Sequence, residues 1–418
     1  MDKMKILFIN RSDIEGGASR GAVRLLAGIG NQGVDARLYV QQKSGNNPFI
    51  TGPPAAFGRT TGFARRMFES ILFGLSFRKM LGLFSPAFLP DRLLKQISAF
   101  NPDVIHLHWV ARMMRLENLC RIKTPIVWTL HDSWPFTGGC FLPGDCDRYR
   151  EMCGKCPVLN SSQEKDLSRS VWRRKSKAWQ GLNLTLIAPS SWMARRAKAS
   201  SLFHDIRVEV IPNGLDVKHF KPTDKKSARV HLSLPHDKKL LLFGAKEATK
   251  DKNKGFHLLL QSLQKIAESK WRDEIELVVF GASQPSPPLN IGIKTHFTGW
   301  LDNDSTLALL YGAADVFILP SLQENLPYAV MEAMACGTPC VAFAQGGLSD
   351  LIEHKLNGYL ARPFEPDDLT QGIAWLLEDN ERHKELSAGS RQKVVEEFAI
   401  EKVTERHMNL YRELLDRK

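Results

Sequence analysis

The chain has 418 residues, which is too long for one hydrophobic core and fits two domains of roughly 200 residues each. No window holds the ~20 consecutive apolar residues that a membrane helix needs, so the sequence predicts no membrane-spanning helix. Residues 1–200 carry 30 Lys and Arg against 14 Asp and Glu, a net charge of +16, whereas the remainder carries −4. The basic half predicts an anionic partner, and without a recognisable nucleic-acid-binding module we favour membrane or lipid phosphate.

Short strand-like runs alternate with helical patterns along the whole chain, which is the layout of doubly wound parallel sheets. In the first half the predicted strands are Lys5–Asn10, Asp35–Gln41, Val104–Trp109, Ile126–Leu130 and Leu184–Ala188. In the second half they are Lys239–Phe243, Glu276–Phe280, Thr295–Phe297, Val316–Leu319 and Thr338–Phe343. A helix is predicted from near Ser19, and the last helix over Val403–Leu415. The polar stretch near Asn213–Lys225 predicts a domain boundary.

The first strand begins within a few residues of Met1 and no signal peptide precedes it, so we expect a cytoplasmic protein. The segment from Phe63 to Phe88 combines six phenylalanines with basic residues, and Arg78 and Lys79 interrupt its apolar runs. Such a stretch is typical of a helix that lies in the lipid headgroup region. The alternative is a set of helices that pack on the first sheet with their basic residues in water.

Four of the seven cysteines fall within 17 residues, at Cys140, Cys146, Cys153 and Cys156. Four cysteines are the ligand set of a closed structural zinc site, and a polar, glycine-rich loop would gain shape from a metal. An iron–sulfur cluster uses the same ligands. The remaining alternative is four reduced thiols or a redox-sensitive pair.

Two glutamates eight positions apart, Glu324 and Glu332, follow the strand-like run that ends in Pro320-Ser321. A short loop and a helical pattern come next, ending at Gly337-Thr338-Pro339. Ligands of α/β proteins bind at the carboxyl ends of strands, and a helix N-terminus there attracts phosphate. A carboxylate on that helix can accept hydrogen bonds from sugar hydroxyls, so this stretch is a candidate donor site. The alternative is an ordinary solvated helix.

The stretch from Pro320 to Pro339 resembles the donor-site signature of family four of the retaining glycosyltransferases of the GT-B class. Other segments fit that family in its own order: Gly16-Gly17-Ala18, Val210–Asp216, Phe297–Leu301, Tyr311–Asp315, Val341–Ile352 and Asn357–Leu360. Each motif is weak alone, but together they make a specific match over most of the chain.

The resemblance implies an α/β GT-B fold, in which two Rossmann-like, doubly wound domains face a central cleft. Residues 1–212 would form the acceptor-binding domain, with a Cys-rich insertion at 138–158. Residues 213–402 would bind the nucleotide sugar, and the helix at 403–418 would pack back on the first domain.

In the second domain the resemblance implies that Glu324 lies at the transferred sugar and Glu332 binds the ribose hydroxyls. The backbone N–H groups of Asn325 and Leu326 would face the sugar or the diphosphate. Lys254 matches the phosphate-binding lysine of the family.

Ala245 stands where the family has an arginine. The nearby lysines that could supply the second positive charge are Lys246, Lys250 and Lys252. A lysine, however, cannot hold a phosphate through two parallel hydrogen bonds.

In the first domain the resemblance implies that Gly16 and Gly17 let the backbone approach the diphosphate. His131 follows a strand and matches the family's histidine over the transferred sugar, so it is the candidate active-site histidine. His108 follows the preceding strand and is the candidate acceptor-binding residue. No nucleophile is assigned, and enzymes of this kind use no metal at the reaction centre.

We therefore expect a retaining hexosyltransferase that uses a UDP- or GDP-linked sugar. Its expected acceptor is a polyprenyl-linked oligosaccharide at the cytoplasmic membrane face. The cysteine insertion resembles one found in enzymes that build colanic acid, O-antigen and other exopolysaccharides, which places the expected product among bacterial surface polysaccharides. The alternatives are a nucleotide-sugar epimerase of the same fold class, a noncatalytic scaffold of a polysaccharide assembly complex, and a nucleic-acid-binding protein.

Overall fold

Two separate parallel sheets organise the chain, each within its own unit. The computed structural model describes residues 3–54, 56–58, 60, 62–64, 67, 82–89, 91–245, 247–285, 290–301 and 303–417. The first unit comprises Met1–Gly214 with Val403–Lys418, and the second comprises Leu215–Lys402.

The described residues of the first unit form a seven-stranded sheet in the order β3-β2-β1-β4-β5-β6-β7. All neighbouring strands pair in parallel. The strands are β1 (Lys5–Ser12), β2 (Asp35–Gln42), β3 (Ile50–Thr51), β4 (Val104–Leu107), β5 (Ile126–Thr129), β6 (Leu184–Ala188) and β7 (Arg207–Val210). The helices are α1 (Gly16–Gly30), α2 (Leu93–Phe100), α3 (Leu167–Ala178) and α4 (Ser191–Ala199). Short 3-10 helices cover Leu116–Arg121, Trp134–Phe136, Arg148–Arg150 and Pro157–Leu159.

The second unit carries a six-stranded parallel sheet within its described residues, in the order β10-β9-β8-β11-β12-β13. These strands are β8 (Lys239–Gly244), β9 (Ile275–Phe280), β10 (Thr295–Gly299), β11 (Val316–Leu319), β12 (Cys340–Phe343) and β13 (Gly358–Ala361). The helices are α5 (Lys225–His231), α6 (Phe256–Ala267), α7 (Asp304–Ala313), α8 (Tyr328–Ala335), α9 (Leu348–Leu351), α10 (Pro366–Glu378) and α11 (Asn380–Lys393). A 3-10 turn covers Lys252–Lys254, and a π-helical turn at Val394–Phe398 leads to α12 (Ile400–Asp416).

Burial on both faces explains why the strands read as continuous apolar runs. In β1, Ile6 and Phe8 pack in one core cluster, whereas Leu7 and Ile9 pack in another on the opposite face. Helices cover both faces of a parallel sheet, so alternate residues have no polar side to occupy. The prediction of an α/β fold with two Rossmann-like units is confirmed, because each unit contains a parallel sheet.

The helix α12 contributes its residues from Val403 onward to the first unit. Val403, Met408 and Tyr411 join the core cluster that contains Ile6 and Phe8. Arg207 on β7 forms a two-pronged ion pair with Glu413, with both N···O distances at 2.8 Å. Apolar packing together with a bidentate ion pair fixes the end of the chain on the first sheet.

Three strands were missed by the sequence patterns. The strand β3 has only two residues, and β7 is a charged, half-exposed edge strand. The strand β13 overlaps Asn357–Leu360, a segment that was matched to the family but not predicted as a strand. The helix α1 begins at Gly16 rather than near Ser19, and β12 begins at Cys340 rather than Thr338. Each predicted strand overlaps an observed one, so the errors concern edges and ends.

Much of the aromatic, basic segment from Phe63 to Phe88 lies outside the described residues, including Phe68, Phe73, Phe77, Arg78 and Lys79. Within the described part, Phe63, Met67, Leu83 and Phe88 are exposed, whereas Phe84 is fully buried. No helix among the described residues is long and apolar enough to cross a membrane. The segment therefore keeps several apolar side chains in contact with solvent.

We expect the first unit to lose stability in mild acid because its buried histidines are neutral. Burial lowers the pKa of His407 to about 4, against 6.5 for an exposed imidazole. The stabilisation is complete above pH 6.5 and is lost as the pH falls towards 4, since only the unfolded chain takes up the proton in that window. His407 alone should account for about 2 kcal/mol between pH 6.5 and about 5.

Urea unfolding of wild-type protein and His407→Leu at these two pH values measures this effect. The variant should show a pH dependence that is about 2 kcal/mol smaller than that of the wild type. His204→Leu is the matched control, because His204 is an exposed histidine of the same unit. Equal pH dependence of His407→Leu and His204→Leu would contradict the assignment.

Candidate functional site

The loop between β11 and α8 carries Glu324 and is held from two sides by backbone contacts. Gly347 donates its N–H to the carbonyl oxygen of Glu324 at 3.0 Å. Gly346 next to it has a φ of +64°, and a Cβ there would lie 1.8 Å from the same oxygen. Only glycine permits both this backbone conformation and this approach, so the loop after β12 fixes the position of Glu324.

On its other side the same loop contacts the turn that carries Lys254. Asn253 donates its side-chain N–H to Gln323 at 3.0 Å, and Leu322 donates its backbone N–H to Asn253 at 2.8 Å. Gly255 has a φ of +69°, and a Cβ there would lie 1.8 Å from the carbonyl oxygen of Pro320. The turn after β8 is therefore locked against the loop after β11.

These contacts bring together two residues that the sequence predicted separately, Lys254 and Glu324. The Nζ of Lys254 donates to the Oε1 of Glu324 at 2.8 Å. The charge of Glu324 raises the pKa of Lys254. A fixed ammonium group beside a carboxylate can bind an anionic phosphate through the lysine and a hydroxyl through the glutamate. Lys246 lies outside the described residues, and Ala245 follows the end of β8.

Glu332 lies on α8 and is buried, with 1% of its surface exposed. The hydroxyl of Tyr311 on α7 donates to its Oε2 at 3.2 Å. The helix begins at Tyr328, and Pro327 occupies the N-cap position. Asn325 and Leu326 thus lie in the loop before the helix, and the Leu326 side chain packs in the core.

In the first unit the predicted glycine loop follows β1 and opens α1. Gly16 is the first residue of α1 with Gly17 after it, and the position where a Cβ of Gly16 would lie is open space. Ser12 accepts hydrogen bonds from the backbone N–H groups of Ile14 and Glu15. The loop is therefore ordered by Ser12, a residue that the sequence reasoning missed.

Asn10, at the carboxyl end of β1, is a second residue that was missed. Its Nδ2 donates to the carbonyl oxygen of Ser12 and to the hydroxyl of Ser19, and its Oδ1 accepts the N–H of Trp109 at 2.8 Å. Trp109 in turn donates its indole N–H to Asp132. Polar residues at the ends of apolar strands were the available signal, because the carboxyl ends of parallel strands meet at one edge.

His108 and His131 follow β4 and β5 and are in direct contact. The Nδ1 of His108 lies 2.9 Å from the Nε2 of His131, and the two rings stack with centroids 5.2 Å apart. Burial lowers the pKa of His131 to about 4, so its ring is neutral at pH 7. Burial also raises the pKa of Asp132 to about 6. His131 can therefore act there as a neutral hydrogen-bonding group.

Lys175 on α3 is fully buried and was missed, because its neighbours on that helix form an ordinary basic pattern. Its Nζ donates to the carbonyl oxygens of Trp134 and of Thr137, the latter at 3.0 Å. The same atom lies 3.9 Å from the ring centre of Trp134. Burial lowers the pKa of Lys175 to about 7. This lysine fixes the segment that follows His131 by two carbonyl contacts and a cation–π contact.

The four predicted metal ligands are free thiols in the segment after Trp134–Phe136. Cys140 and Cys156 are buried, and burial raises the pKa of Cys153 to about 11. The backbone N–H of Gly138 donates to the Sγ of Cys153 at 3.1 Å. Within the described part of the chain, no three His, Cys, Asp or Glu side chains are placed to hold one metal ion. Metal binding by Cys140, Cys146, Cys153 and Cys156 stays a prediction.

Two family models match this chain, one in each half. Residues 15–219 match the family described as Glycosyltransferase Family 4, and residues 224–393 match Glycosyl transferases group 1. A D-inositol 3-phosphate glycosyltransferase from Xylanimonas cellulosilytica is 30% identical over 307 residues, which cover 69% of this chain and 67% of that protein.

Two solved structures show the same fold. Sucrose-phosphate synthase from Thermosynechococcus elongatus has a TM-score of 0.72 at 18% identity and covers 100% of both chains. HepE from Anabaena, in complex with UDP, has a TM-score of 0.66 at 17% identity and covers 98% of this chain and 100% of its own. With both units matched in sequence and fold, the chain belongs to the group 1, family 4 glycosyltransferases of the GT-B fold.

Proposed function

We propose that the protein is a retaining glycosyltransferase which moves a hexose from a nucleotide-diphosphate sugar to a lipid-linked glycan in bacterial surface polysaccharide biosynthesis. The observation that carries the donor part is the contact of Lys254 with Glu324, followed on the next helix by the buried Glu332. A phosphate-binding cation and two carboxylates on neighbouring elements fit a sugar nucleotide. An epimerase or a scaffold would not need an acceptor.

In the proposed donor complex, Lys254 meets the charge of the diphosphate and turns partly away from Glu324. Glu324 then accepts hydrogen bonds from the transferred sugar, and Glu332 accepts them from the ribose. The backbone N–H groups of Asn325 and Leu326 add donors near the start of α8. The HepE structures hold UDP and UDP-glucose, which supports a UDP-linked donor, with a GDP-linked donor as the second candidate.

In the first unit, Gly16, Gly17 and His131 keep the roles that the family resemblance implies for them. No side chain is assigned as a nucleophile. Stabilisation of the departing diphosphate by fixed donors is the main contribution expected of the protein. The second positive charge that an arginine gives other members of the family is assigned to the lysines near Ala245.

We place the acceptor at a cavity of 630 Å³ in the first unit. Its walls combine aromatic and apolar side chains with amides and a guanidinium group, and include Tyr39, Gln41, Phe57, Arg92, Gln96 and Met113. Sugars present apolar faces and hydroxyl rims, so such a lining suits a glycan. His108 stays a predicted acceptor residue in this proposal, although only 3% of its surface is exposed.

The same unit would attach to the inner leaflet of the membrane. It carries the +16 charge of residues 1–200 and the exposed side chains of Phe57, Phe63, Met67 and Phe88. Basic charge combined with exposed aromatic groups favours anionic headgroups.

The first prediction of this proposal concerns the donor nucleotide. Thermal melting with UDP, GDP and their hexose conjugates should show a rise with one nucleotide, since a ligand at ~100 times its Kd adds about 2.7 kcal/mol. Glu332→Gln should lose most of that rise, because it replaces the charged acceptor of the ribose hydroxyls. Glu385→Gln is the control, as Glu385 is exposed on α11 of the same unit.

An undiminished rise in Glu332→Gln would contradict the role of Glu332. No rise with any nucleotide would favour the scaffold over the enzyme.

The second prediction concerns the membrane. The protein should co-sediment with vesicles that contain phosphatidylglycerol and much less with phosphatidylcholine alone, and salt should weaken this binding. The double variant Phe63→Ser, Met67→Ser should bind several-fold less, whereas Phe364→Ser in the second unit should bind as the wild type does. Equal binding by both variants would contradict the proposed surface.

The third prediction concerns the cysteines. Metal analysis of protein purified without chelator should give about one zinc per chain, with iron as the alternative metal. Cys153→Ser should lose the metal and melt at a lower temperature, because metal binding and loop folding are coupled. Cys120→Ser, an exposed cysteine elsewhere in the unit, should keep it. Metal-free protein whose melting does not respond to added zinc would contradict the metal site.

A further inference from the structure

A row of four histidine rings lies in the first unit, of which His106, His108 and His407 are buried and His131 is partly buried. His106 lies between His108 and His407, with ring centroids 4.4 and 5.6 Å apart, and His108 stacks on His131. Both nitrogens of His106 are bonded: Nδ1 to the hydroxyl of Tyr411 at 2.6 Å and Nε2 to the hydroxyl of Thr129 at 2.7 Å. His106 is therefore fixed, and it supports the ring of His108.

The contact between His108 and His131 holds a single proton. Both rings are neutral, since burial lowers the pKa of each. In the 2.9 Å contact, either the Nδ1 of His108 donates to the Nε2 of His131 or the reverse. Each arrangement dictates where the second proton of the two rings can lie, because a neutral imidazole carries one N–H.

The other nitrogen of His108 decides between these arrangements. His108 is 3% exposed, and among the described residues its Nε2 has no hydrogen-bond partner. If His131 donated, the proton of His108 would lie on that Nε2, and an N–H would be buried without an acceptor, at a cost of about 1–3 kcal/mol. If His108 donates from Nδ1, its Nε2 carries only a lone pair. A buried acceptor without a partner is less unfavourable than a buried N–H without one.

We propose that His108 is a positioning residue which holds His131 in the tautomer that carries its proton on Nδ1. His131 then offers an N–H, not a lone pair, on the side of its ring away from His108. Such a group donates to an oxygen of a ligand, and its direction is set by the stacked rings. The proposal rests on the proposed function only for the ligand, a hydroxyl oxygen of the transferred sugar.

Long-range proton–nitrogen NMR correlation of the full chain, labelled with ¹⁵N in histidine, reads the tautomer directly at about pH 8, where the rings are neutral. Assignment uses His131→Gln. The wild type should show His131 protonated on Nδ1. In His108→Phe, which keeps an aromatic ring but no donor, a large share of His131 should change to the Nε2-protonated form. In His108→Asn, whose amide nitrogen takes the place of Nδ1, the wild-type tautomer should persist.

The transfer reaction adds a second readout. With a working donor, kcat should fall about tenfold in His108→Phe while the donor KM changes little, and His108→Asn should restore most of it. Wild-type His131 protonated on Nε2, or an unchanged tautomer in His108→Phe, would overturn the proposal. Failure to transfer sugar in a protein with the expected tautomers would instead overturn the proposed function. Melting temperatures show whether each variant folds. If His108→Phe does not fold, the tautomers of the wild type and of His108→Asn still test the proposal.

Discussion

The loop between β11 and α8 in the second unit depends on close backbone contacts that only glycine allows. Gly255 meets the carbonyl oxygen of Pro320 and Gly346 meets that of Glu324, both at distances that a side chain would block. The loop after β11 is thereby fixed by the loops after β8 and β12, its neighbours in the sheet. These close backbone contacts bring Lys254 and Glu324 together. The position of the two charged groups therefore depends on backbone geometry.

In the first unit, several polar groups are buried or partly buried near the carboxyl ends of the strands. Asn10 lies near the carboxyl end of β1, and His108 and His131 follow β4 and β5. Asn10 accepts a hydrogen bond from Trp109, and the two histidine rings contact each other. Lys175 plays the same part for the segment after His131, where two carbonyl oxygens and a tryptophan ring replace water. Neutral histidines, and contacts of the Lys175 amine with two carbonyl oxygens and a tryptophan ring, reduce the cost of burying these polar groups.

Sequence reasoning succeeded where local pattern determines structure. The two-sided apolar runs of β1 and β8 predict buried parallel strands, and the order of motifs predicts the family. It failed where the outcome depends on residues far apart in the chain. Nothing near Lys175 shows that it is buried, and the pairing of Asn10 with Trp109 spans 99 positions. The edge strand β7 has only four residues, so its alternation of charged and apolar residues is too short to be recognised as a strand. The roles of individual site residues follow from the family resemblance and stay proposals.

Hydrogen–deuterium exchange of the full chain, with and without UDP and in parallel with GDP, tests the central claim that the donor binds the loop held by the two glycines. We expect slower exchange at residues 251–255 and 320–332 with the nucleotide that binds, and no change at β13 of the same sheet. Protection elsewhere in the second unit, with residues 320–332 unchanged while nucleotide is bound, would contradict it.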